Sequence, residues 1–186
     1  MTIRLKRNMN IVFFSDVHGM PSTLERLLKH AEALSADRLV FLGDALYHGP
    51  RNGVPDLYDP KRVAEILNAH KDSIIAVRGN CDAEVDQMML DFPIMADYSE
   101  LVTTTRRFFL THGHIWNEHN QPNLPPGTVL THGHTHVPVI RELENGITLF
   151  NPGSISLPKN GMPQSFGFFN EKILSVLRLE DGSLLI

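Results

Sequence analysis

The first half of the chain alternates between short apolar runs and amphipathic segments. This alternation restricts the possible folds more than any other feature of the sequence. Three apolar runs have the length and composition of buried strands: NIVFF (10–14), RLVFL (38–42) and SIIAV (73–77). The segments 20–34 and 59–70 between them repeat apolar residues at helical spacing. Strands that alternate with helices predict βαβ units and a mostly parallel sheet covered on both faces.

Both predicted helices carry start signals. Ser22 and Glu25 have the spacing of a capping box in the first helix. In the second helix, Asp59 is the predicted N-cap and Pro60 takes the first helical position, where its missing N–H costs nothing. These residues fix where we expect each helix to begin.

The second half, from about residue 98 onward, contains short strand patterns and few helical ones. The turn sequences ENG (144–146) and EDG (180–182) predict hairpins between neighbouring strands. We therefore expect a second, mainly antiparallel sheet packed on the first. Two long segments, 47–59 and 117–127, lack either pattern, and loops of that length are uncommon unless they are functional or mobile.

Polar residues follow the apolar runs wherever a run ends. Seven of them have side chains that bind metals: Asp16, His18, Asp44, Asn80, His112, His134 and His136. Because the carboxyl ends of parallel strands open on one edge of a sheet, these side chains are expected to converge there. Spacing alone leaves open which two of His132, His134 and His136 take part.

The predicted ligand set indicates two divalent cations. Carboxylates, imidazoles and one amide oxygen suit Mn, with Fe, Zn or Ni as alternatives. Seven protein ligands exceed what one open catalytic zinc site uses. Asp44 is the candidate for a carboxylate that bridges two ions roughly 3.5 to 4 Å apart, an arrangement that clamps in-line displacement at phosphorus.

The order of these blocks, D-x-H, GD, GN, H and GH-x-H between Asp16 and Ser154, resembles that of the calcineurin-like metallophosphoesterases. The strings YHGPRNGVP, RGNCDAEVDQM and NPGSISLPK resemble a subgroup of small bacterial phosphodiesterases. The resemblance implies a single metallophosphoesterase domain over 1–186, folded as a four-layer αββα sandwich of two mixed sheets flanked by helices.

The resemblance also implies roles for individual residues. One cation takes Asp16, His18, Asp44 and His136, and the other takes Asp44, Asn80, His112 and His134. The candidate catalytic residues are Asp44, Asn80, Cys81 and His112. The candidate substrate contacts are Arg51 and Arg78, whose guanidinium groups suit phosphate oxygens, and His114.

Cys81 stands where many members of this family have a histidine that assists the leaving group. A neutral thiol is a weak hydrogen-bond donor and a poor substitute for an imidazolium ion. We therefore expect Cys81 to mark a missing general acid and monoester hydrolysis to be weak. The neighbouring Asp82 is expected to cap the following helix.

The resulting prediction is a metal-dependent phosphodiesterase that hydrolyses small phosphodiesters by attack of a dimetal-bound hydroxide. One alternative is a phosphomonoesterase or phosphoprotein phosphatase on the same metals. Another is a non-catalytic protein-binding scaffold like the retromer subunit of this fold, which has lost metal-ligand histidines. All seven expected ligands are present in this chain, which disfavours the scaffold.

Charge and composition limit the partners. The formal net charge is −4, so no global positive field attracts long nucleic acids. One cysteine excludes an internal disulfide and fits the cytoplasm. The basic start, residues 1–8, precedes an apolar run of only four residues, so neither a signal peptide nor a membrane span is expected. Exposed apolar patches could support a homo-oligomer.

Overall fold

The computed structural model describes residues 9–186, and ten strands in two five-stranded sheets form its centre. The strands are β1 (Ile11–Phe14), β2 (Arg38–Phe41), β3 (Ile74–Ala76), β4 (Tyr98–Val102), β5 (Arg107–Thr111), β6 (Thr128–Thr131), β7 (Val139–Glu142), β8 (Thr148–Asn151), β9 (Ser165–Phe169) and β10 (Leu174–Arg178). The helices are α1 (Pro21–Ala33), α2 (Pro60–Ala69) and the single turn α3 (Glu84–Gln87), with a 3₁₀ turn at Lys71–Ser73. The expectation about a signal peptide rests on residues 1–8, which lie outside this range.

The first sheet has the order β10-β9-β1-β2-β3. As predicted, β1, β2 and β3 are parallel, while β9 pairs antiparallel with both β1 and β10. The expectation that all late strands form a separate sheet is therefore wrong. β9 is buried on both faces, with Phe166 packed toward the helices and Phe169 packed between the sheets, and such a strand fits beside β1 as well as in a second sheet.

The second sheet has the order β4-β5-β6-β8-β7. Its three inner strands, β5, β6 and β8, are parallel, and only the two outer pairs are antiparallel. The prediction of a mainly antiparallel sheet is wrong here because the segment 112–127 is long enough to return the chain for a parallel pairing. The hairpin predicted at 144–146 is confirmed between β7 and β8.

The layers follow from which face each side chain occupies. Leu24, Leu27 and Leu67 of the helices pack on one face of the first sheet, and side chains such as Phe13 and Phe108 fill the space between the sheets. Within 9–186, the outer face of the second sheet is covered by the segment 112–127, through Trp116 and Leu124, rather than by a long helix. The predicted α/β sandwich of two mixed sheets is confirmed.

One of the two predicted helix starts is correct. The Asp59 carboxylate accepts a hydrogen bond from the Arg62 N–H at 2.9 Å, as an N-cap does. The capping box of Ser22 and Glu25 is wrong, since α1 begins at Pro21 with no side-chain cap. Proline is pre-organised for the first helical position, so the helix starts there and Ser22 already lies inside it.

The two segments predicted to lack regular structure, 47–59 and 117–127, contain neither helix nor strand. The first lies between β2 and α2 and the second between β5 and β6, so each belongs to a connection that leaves the carboxyl end of a strand. Across the described range, no helix has the length and apolar character needed to cross a bilayer.

Candidate metal centre

The loops that follow β1, β2 and β3 are joined backbone to backbone. The N–H of Asp16 donates to Gly43 O at 3.0 Å, and the N–H of His18 donates to Asp44 O at 3.1 Å. A side chain at Gly79 would place its Cβ 2.0 Å from Asp44 Oδ1, so only glycine permits this approach. The three loops therefore hold their polar side chains in one place.

The loops after β5 and β6 close the site from the second sheet. The N–H of Gly133 donates to His112 O at 2.8 Å, and the N–H of His134 donates to Asp16 Oδ2 at 3.2 Å. A Cβ at Gly133 would lie 1.9 Å from Ser15 Oγ, so this loop also depends on glycine to reach the first sheet. Both sheets thus contribute to one centre.

Asp82 connects two of these loops. Its buried carboxylate accepts the backbone N–H groups of Asp44, Ala45 and Gly79 at 2.7 to 2.8 Å. Burial and the neighbouring Asp44 charge raise its pKa, while the backbone hydrogen bonds act in the opposite direction. The expectation that Asp82 caps the next helix is wrong, because the N-cap of α3 is Ala83.

Five of the predicted ligands form a compact, buried group. His136 Nε2 lies 3.3 Å from Asp16 Oδ1, and His18 Nε2 lies 3.8 Å from the same oxygen. Asp44 Oδ2 is 3.7 Å from His18 Nε2 and 3.5 Å from His112 Nε2. Each of these residues is less than about 5% exposed, so the donor atoms converge where bulk water does not reach freely.

The imidazoles are held so that one nitrogen of each faces the centre. Nδ1 of His18 lies 2.8 Å from Tyr47 O and Nδ1 of His112 lies 2.7 Å from Leu42 O, while Nδ1 of His136 bonds Leu157 O. A carbonyl only accepts, so each Nδ1 donates its hydrogen to that oxygen, and Nε2 is the ring nitrogen left to bind a cation.

Two atoms of this group are buried without any hydrogen-bond partner: Asp16 Oδ1 and His18 Nε2. Leaving such atoms unsatisfied costs free energy, about 1 to 3 kcal/mol each, unless something coordinates them. A divalent cation satisfies an imidazole lone pair and a carboxylate oxygen together. The residues present therefore fit the metal predicted from the sequence.

The backbone at most of the predicted ligands is strained. Five ligand residues, none of them glycine, have a left-handed backbone: Asp16 (φ 60°), His18 (φ 49°), Asp44 (φ 62°), His134 (φ 66°) and His136 (φ 60°). This conformation costs about 1 kcal/mol or more per residue and is concentrated at functional sites. The loops hold these side chains at the expense of backbone energy.

Opposite charges in the site lower the pKa values of its carboxylates and raise that of His112. Burial raises the pKa of Asp16 and Asp44, but the close imidazoles of His136 and His112 outweigh it, so both pKa values are lowered. Burial lowers the pKa of His112, yet the same carboxylates raise it to about 9. Burial and the His112 charge lower the pKa of His134 to about 4. Both carboxylates are thus kept ionised, as metal ligands must be.

Asn80 and Cys81 lie side by side above this group. Asn80 Oδ1 is 3.1 Å from His112 Nε2, and its amide N–H donates to Cys81 Sγ at 3.2 Å. The Cys81 backbone N–H donates to Asp44 Oδ1 at 2.8 Å. Burial and the Asp44 charge raise the pKa of the Cys81 thiol to about 12, so the thiol is uncharged at neutral pH.

A cleft of about 350 Å³ opens over the centre and has two cations in its lining. Arg51, a predicted substrate contact, is one of them, and Lys159 is the other. The sequence reasoning missed Lys159, although it ends the string NPGSISLPK that carried part of the resemblance. Its backbone N–H reaches His136 O at 3.4 Å, which ties it to the metal loops.

The other two predicted substrate contacts lie outside this cleft lining. Arg78 forms an ion pair with Asp97 at 2.6 Å and is not among the residues that line the cleft. The His114 ring is 5.4 Å from that of His112 and 6.3 Å from that of His134, beside the ligand cluster. Neither residue lines the cleft that Arg51 and Lys159 share.

The structure distinguishes which two of the three histidines after β6 lie at the centre. The His134 ring contacts that of His112 at 5.1 Å and the His136 ring contacts that of His18 at 5.2 Å. His132 turns instead into the second sheet, where its Nδ1 lies 2.9 Å from Gly133 O. The structure therefore brings His134 and His136 to the centre, as the resemblance implied.

Comparisons of the sequence and of the structure with known proteins point to the same family. The sequence pattern of the calcineurin-like phosphoesterase superfamily domain matches residues 9–172. The chain is 48% identical over 177 residues to phosphodiesterase YfcE of Escherichia coli, covering 95% of this chain and 96% of that protein. A solved structure of YfcE, a phosphoesterase from E. coli, superposes with a TM-score of 0.92 over 96% of this chain and 97% of that one, at 47% identity. The probable metallophosphoesterase YsnB of Bacillus subtilis is 26% identical, covering 85% of this chain and 82% of that protein.

Proposed function

The chain belongs to the calcineurin-like phosphoesterase superfamily, and from that premise we propose that it hydrolyses small phosphodiesters on a pair of divalent cations. The predicted subgroup of small bacterial phosphodiesterases and the predicted enzyme class, a metal-dependent phosphoric diester hydrolase, agree with the 48% identity to YfcE over nearly the whole chain.

The buried cluster of converging donor atoms, two of which (Asp16 Oδ1 and His18 Nε2) have no hydrogen-bond partner, carries the proposal. We assign one cation to Asp16, His18, Asp44 and His136, and the other to Asp44, Asn80, His112 and His134. Bound there, two divalent ions would supply an acidified water molecule as nucleophile and positive charge facing the phosphate oxygens. Asp44 lies between the two histidine pairs, which supports its role as the shared carboxylate.

The protein side chains of the cleft position the substrate. Arg51 and Lys159 line the space over the cluster and present positive charge to a phosphate group. The Arg51 fork can hold two oxygens at once, while Lys159 acts as a single charge. Because Arg78 is paired with Asp97, we assign phosphate binding to the first two cations.

The uncharged thiol of Cys81 sets the preference for diesters. With a pKa near 12 it neither attacks as a thiolate nor donates a proton to a leaving group at neutral pH. A monoester carries an additional negative charge and depends more strongly on such assistance. Weak monoesterase activity therefore follows, which disfavours the alternative of a phosphomonoesterase or phosphoprotein phosphatase.

Replacing Cys81 by His tests this proposal. We expect wild-type protein reconstituted with Mn²⁺ to hydrolyse bis(4-nitrophenyl) phosphate and to lose this activity on chelation. In Cys81→His, kcat/KM for 4-nitrophenyl phosphate should rise about tenfold or more, at the low end of the roughly 100 to 10,000-fold range of positioned acid catalysis. Cys81→Ala is the control, because it removes the thiol without adding a proton donor.

The outcomes separate the parts of the proposal. A wild-type protein without diesterase activity in the presence of Mn²⁺ contradicts the function itself. If Cys81→His leaves monoester turnover at the level of Cys81→Ala, the thiol does not set the preference. Failure to retain any divalent metal would favour the protein-binding scaffold. Manganese as the native ion, a cytoplasmic location, a homo-oligomer, a single domain over 1–186 and a substrate role for His114 stay predictions.

A further inference from the structure

A second cavity, of about 400 Å³, lies beside the catalytic cleft and shares Cys81 with it as a wall. It is bounded by the loop after β2, the start of α2 and the segment 81–89. The Cys81 thiol lies within 4.8 Å of the ligand atoms of His18 and Asp44. Only the Cys81 side chain therefore lies between this cavity and the proposed metals.

The two cavities differ in chemistry. The cleft is lined by charged and polar side chains, whereas the second cavity is formed chiefly by Leu46, Tyr47, Tyr58, Val85 and Met89. Three of these apolar side chains stay exposed to water: Val85 is 64% exposed, Met89 45% and Tyr47 41%. Covering such a surface with an apolar group is favourable by about 25 cal/mol per Å².

The floor of the cavity is fixed to the metal loops. Tyr58 donates its hydroxyl hydrogen to Leu46 O at 3.0 Å, and its ring packs on Gly19, where an added Cβ would lie 2.2 Å from the ring. Gly19 directly follows the ligand His18. The cavity is therefore pre-formed, as ligand pockets usually are, and its position relative to the metals is set by the same backbone.

We propose that this cavity, which we call the ester pocket, binds one of the two organic substituents of the phosphodiester while the cleft holds its phosphate. This inference rests on the proposed function. The rings of Tyr47 and Tyr58 and the thioether of Met89 favour an aromatic substituent. The lining also holds one cation, Lys61, and one carboxylate, Asp86, so its charges balance and an uncharged substituent fits it best. The substrate class is therefore a diester with an uncharged aromatic group.

Titration calorimetry with two phosphonates tests the ester pocket without relying on turnover. On Mn²⁺-loaded protein we expect phenylphosphonate to bind at least tenfold more tightly than methylphosphonate, because only the phenyl ring reaches the apolar walls. In the double variant Val85→Glu, Met89→Glu this ratio should fall to near one. Ile173→Glu is the matched control, since Ile173 is also an exposed apolar residue, at 61%, but lies in the turn between β9 and β10.

Phenol alone provides a second probe that needs no phosphate site. In methyl NMR spectra of methionine-labelled protein, phenol should shift the Met89 signal, which lines the pocket, and leave that of the exposed neighbour Met88 in place. If neither phosphonate binds but phenol shifts Met89, the phosphate site of the proposed function fails, whereas the cavity itself is shown to bind an aromatic ring. If phenol does not shift Met89, or the phosphonate ratio is the same in the double variant, the ester pocket is refuted.

The exposed walls of the ester pocket could instead meet a second copy of the chain. Sedimentation equilibrium at the protein concentrations of the titrations distinguishes this case. We expect the double variant and the wild type to have the same mass. A wild-type dimer that becomes monomeric in Val85→Glu, Met89→Glu would identify the surface as an interface and overturn the proposal.

Discussion

The floor and the wall of the catalytic cleft are built on different principles. The floor, formed by Asp16, His18, Asp44, His112 and His136, is buried and held by backbone hydrogen bonds. The wall, formed by 47–59, contains no helix or strand, and its cation Arg51 is exposed. The floor shows how donor atoms are fixed for chemistry, and the wall shows where recognition can change at little cost to the fold.

This contrast implies that substitutions in the two regions fail in different ways. A change in the floor alters metal binding, the rate of the chemical step and the stability together, because each ligand is also part of the packed loop junction. A change at an exposed residue of the wall such as Arg51 alters substrate binding alone, because that side chain faces solvent. Four substitutions, two of them paired with a comparison variant, test this division in order of decreasing effect.

The largest effect is expected at the shared carboxylate. Asp44→Asn keeps the shape of the side chain but removes the charge that two cations would share, so kcat/KM for an aryl diester should fall by about 1000-fold or more. Elemental analysis should show a loss of bound metal, and circular dichroism should show an intact fold. A variant that retains two metals per chain would contradict the bridging role.

Asp82→Asn tests whether backbone positioning alone matters to the floor. An amide oxygen replaces only one of the two oxygens that accept the N–H groups of Asp44, Ala45 and Gly79. We expect a loss of about 2 kcal/mol in the free energy of unfolding in urea and a fall in kcat of about 10- to 100-fold.

The matched control for this substitution is Asp86→Asn. The Asp86 carboxylate accepts a single N–H, that of Ala83, so its loss of stability should be smaller, about 1 kcal/mol. Equal losses of stability in the two variants would show that the additional hydrogen bonds of Asp82 do not stabilise the loop junction.

Arg51→Ala and Arg78→Ala compare a cation in the wall with one outside the cleft. Arg51→Ala should raise KM for a small diester about tenfold with little change in kcat, because it contributes to binding and not to the nucleophile. Arg78→Ala should change KM less than about twofold, since its guanidinium is paired with Asp97. A larger KM effect for Arg78 would mean that the substrate approaches from the opposite side.

The smallest effect is expected at Glu171, far from both regions. Its carboxylate accepts hydrogen bonds from the hydroxyls of Thr104 and Thr105 at 2.7 and 2.9 Å, linking the turn after β9 to the turn after β4. Burial raises its pKa, and these hydrogen bonds lower it by more, so the net pKa is lowered. Glu171→Gln should cost less than about 1 kcal/mol at pH 7 and leave kcat/KM unchanged.

The pH dependence of that cost follows from the direction of the pKa shift. A lowered pKa in the folded state means that the carboxylate adds stability above its unfolded pKa, near 4.5, and loses it as the pH falls below that value. The difference in unfolding free energy between wild type and Glu171→Gln should therefore shrink between about pH 5 and pH 3. A difference that grows on acidification would contradict the hydrogen-bond assignment.

The floor could be predicted from the sequence because each ligand follows an apolar run directly. Asp16, Asp44 and Asn80 stand at the ends of three parallel strands, and strand ends meet at one edge for general reasons of sheet geometry. The two histidines after β6 needed the family resemblance, since alternation alone also allowed His132. The ligand positions are local properties of the chain.

Other features depend on contacts between distant segments and left no local signal. Lys159 enters the cleft from a loop that follows β8, and Asp82 acts on N–H groups 37 and 38 residues earlier. The hairpin of β9 and β10 has the same alternation in either sheet, so its place beside β1 could not be derived from pattern. The ion pair of Arg78 also left no local signal, since its partner, Asp97, is nineteen positions further along.

The left-handed backbone at five ligand residues sets a limit on how far this protein can be made heat-resistant. The simplest increase in stability would come from His134→Gly, which relieves the backbone strain at φ 66°. This substitution should add about 1 kcal/mol to the free energy of unfolding while removing a proposed ligand. Selection for thermal stability alone would therefore replace these ligand residues, and reduce activity, before it improved the packing of the sheets. Greater thermal stability has to come from substitutions in the two sheets, away from the loops that carry the proposed ligands.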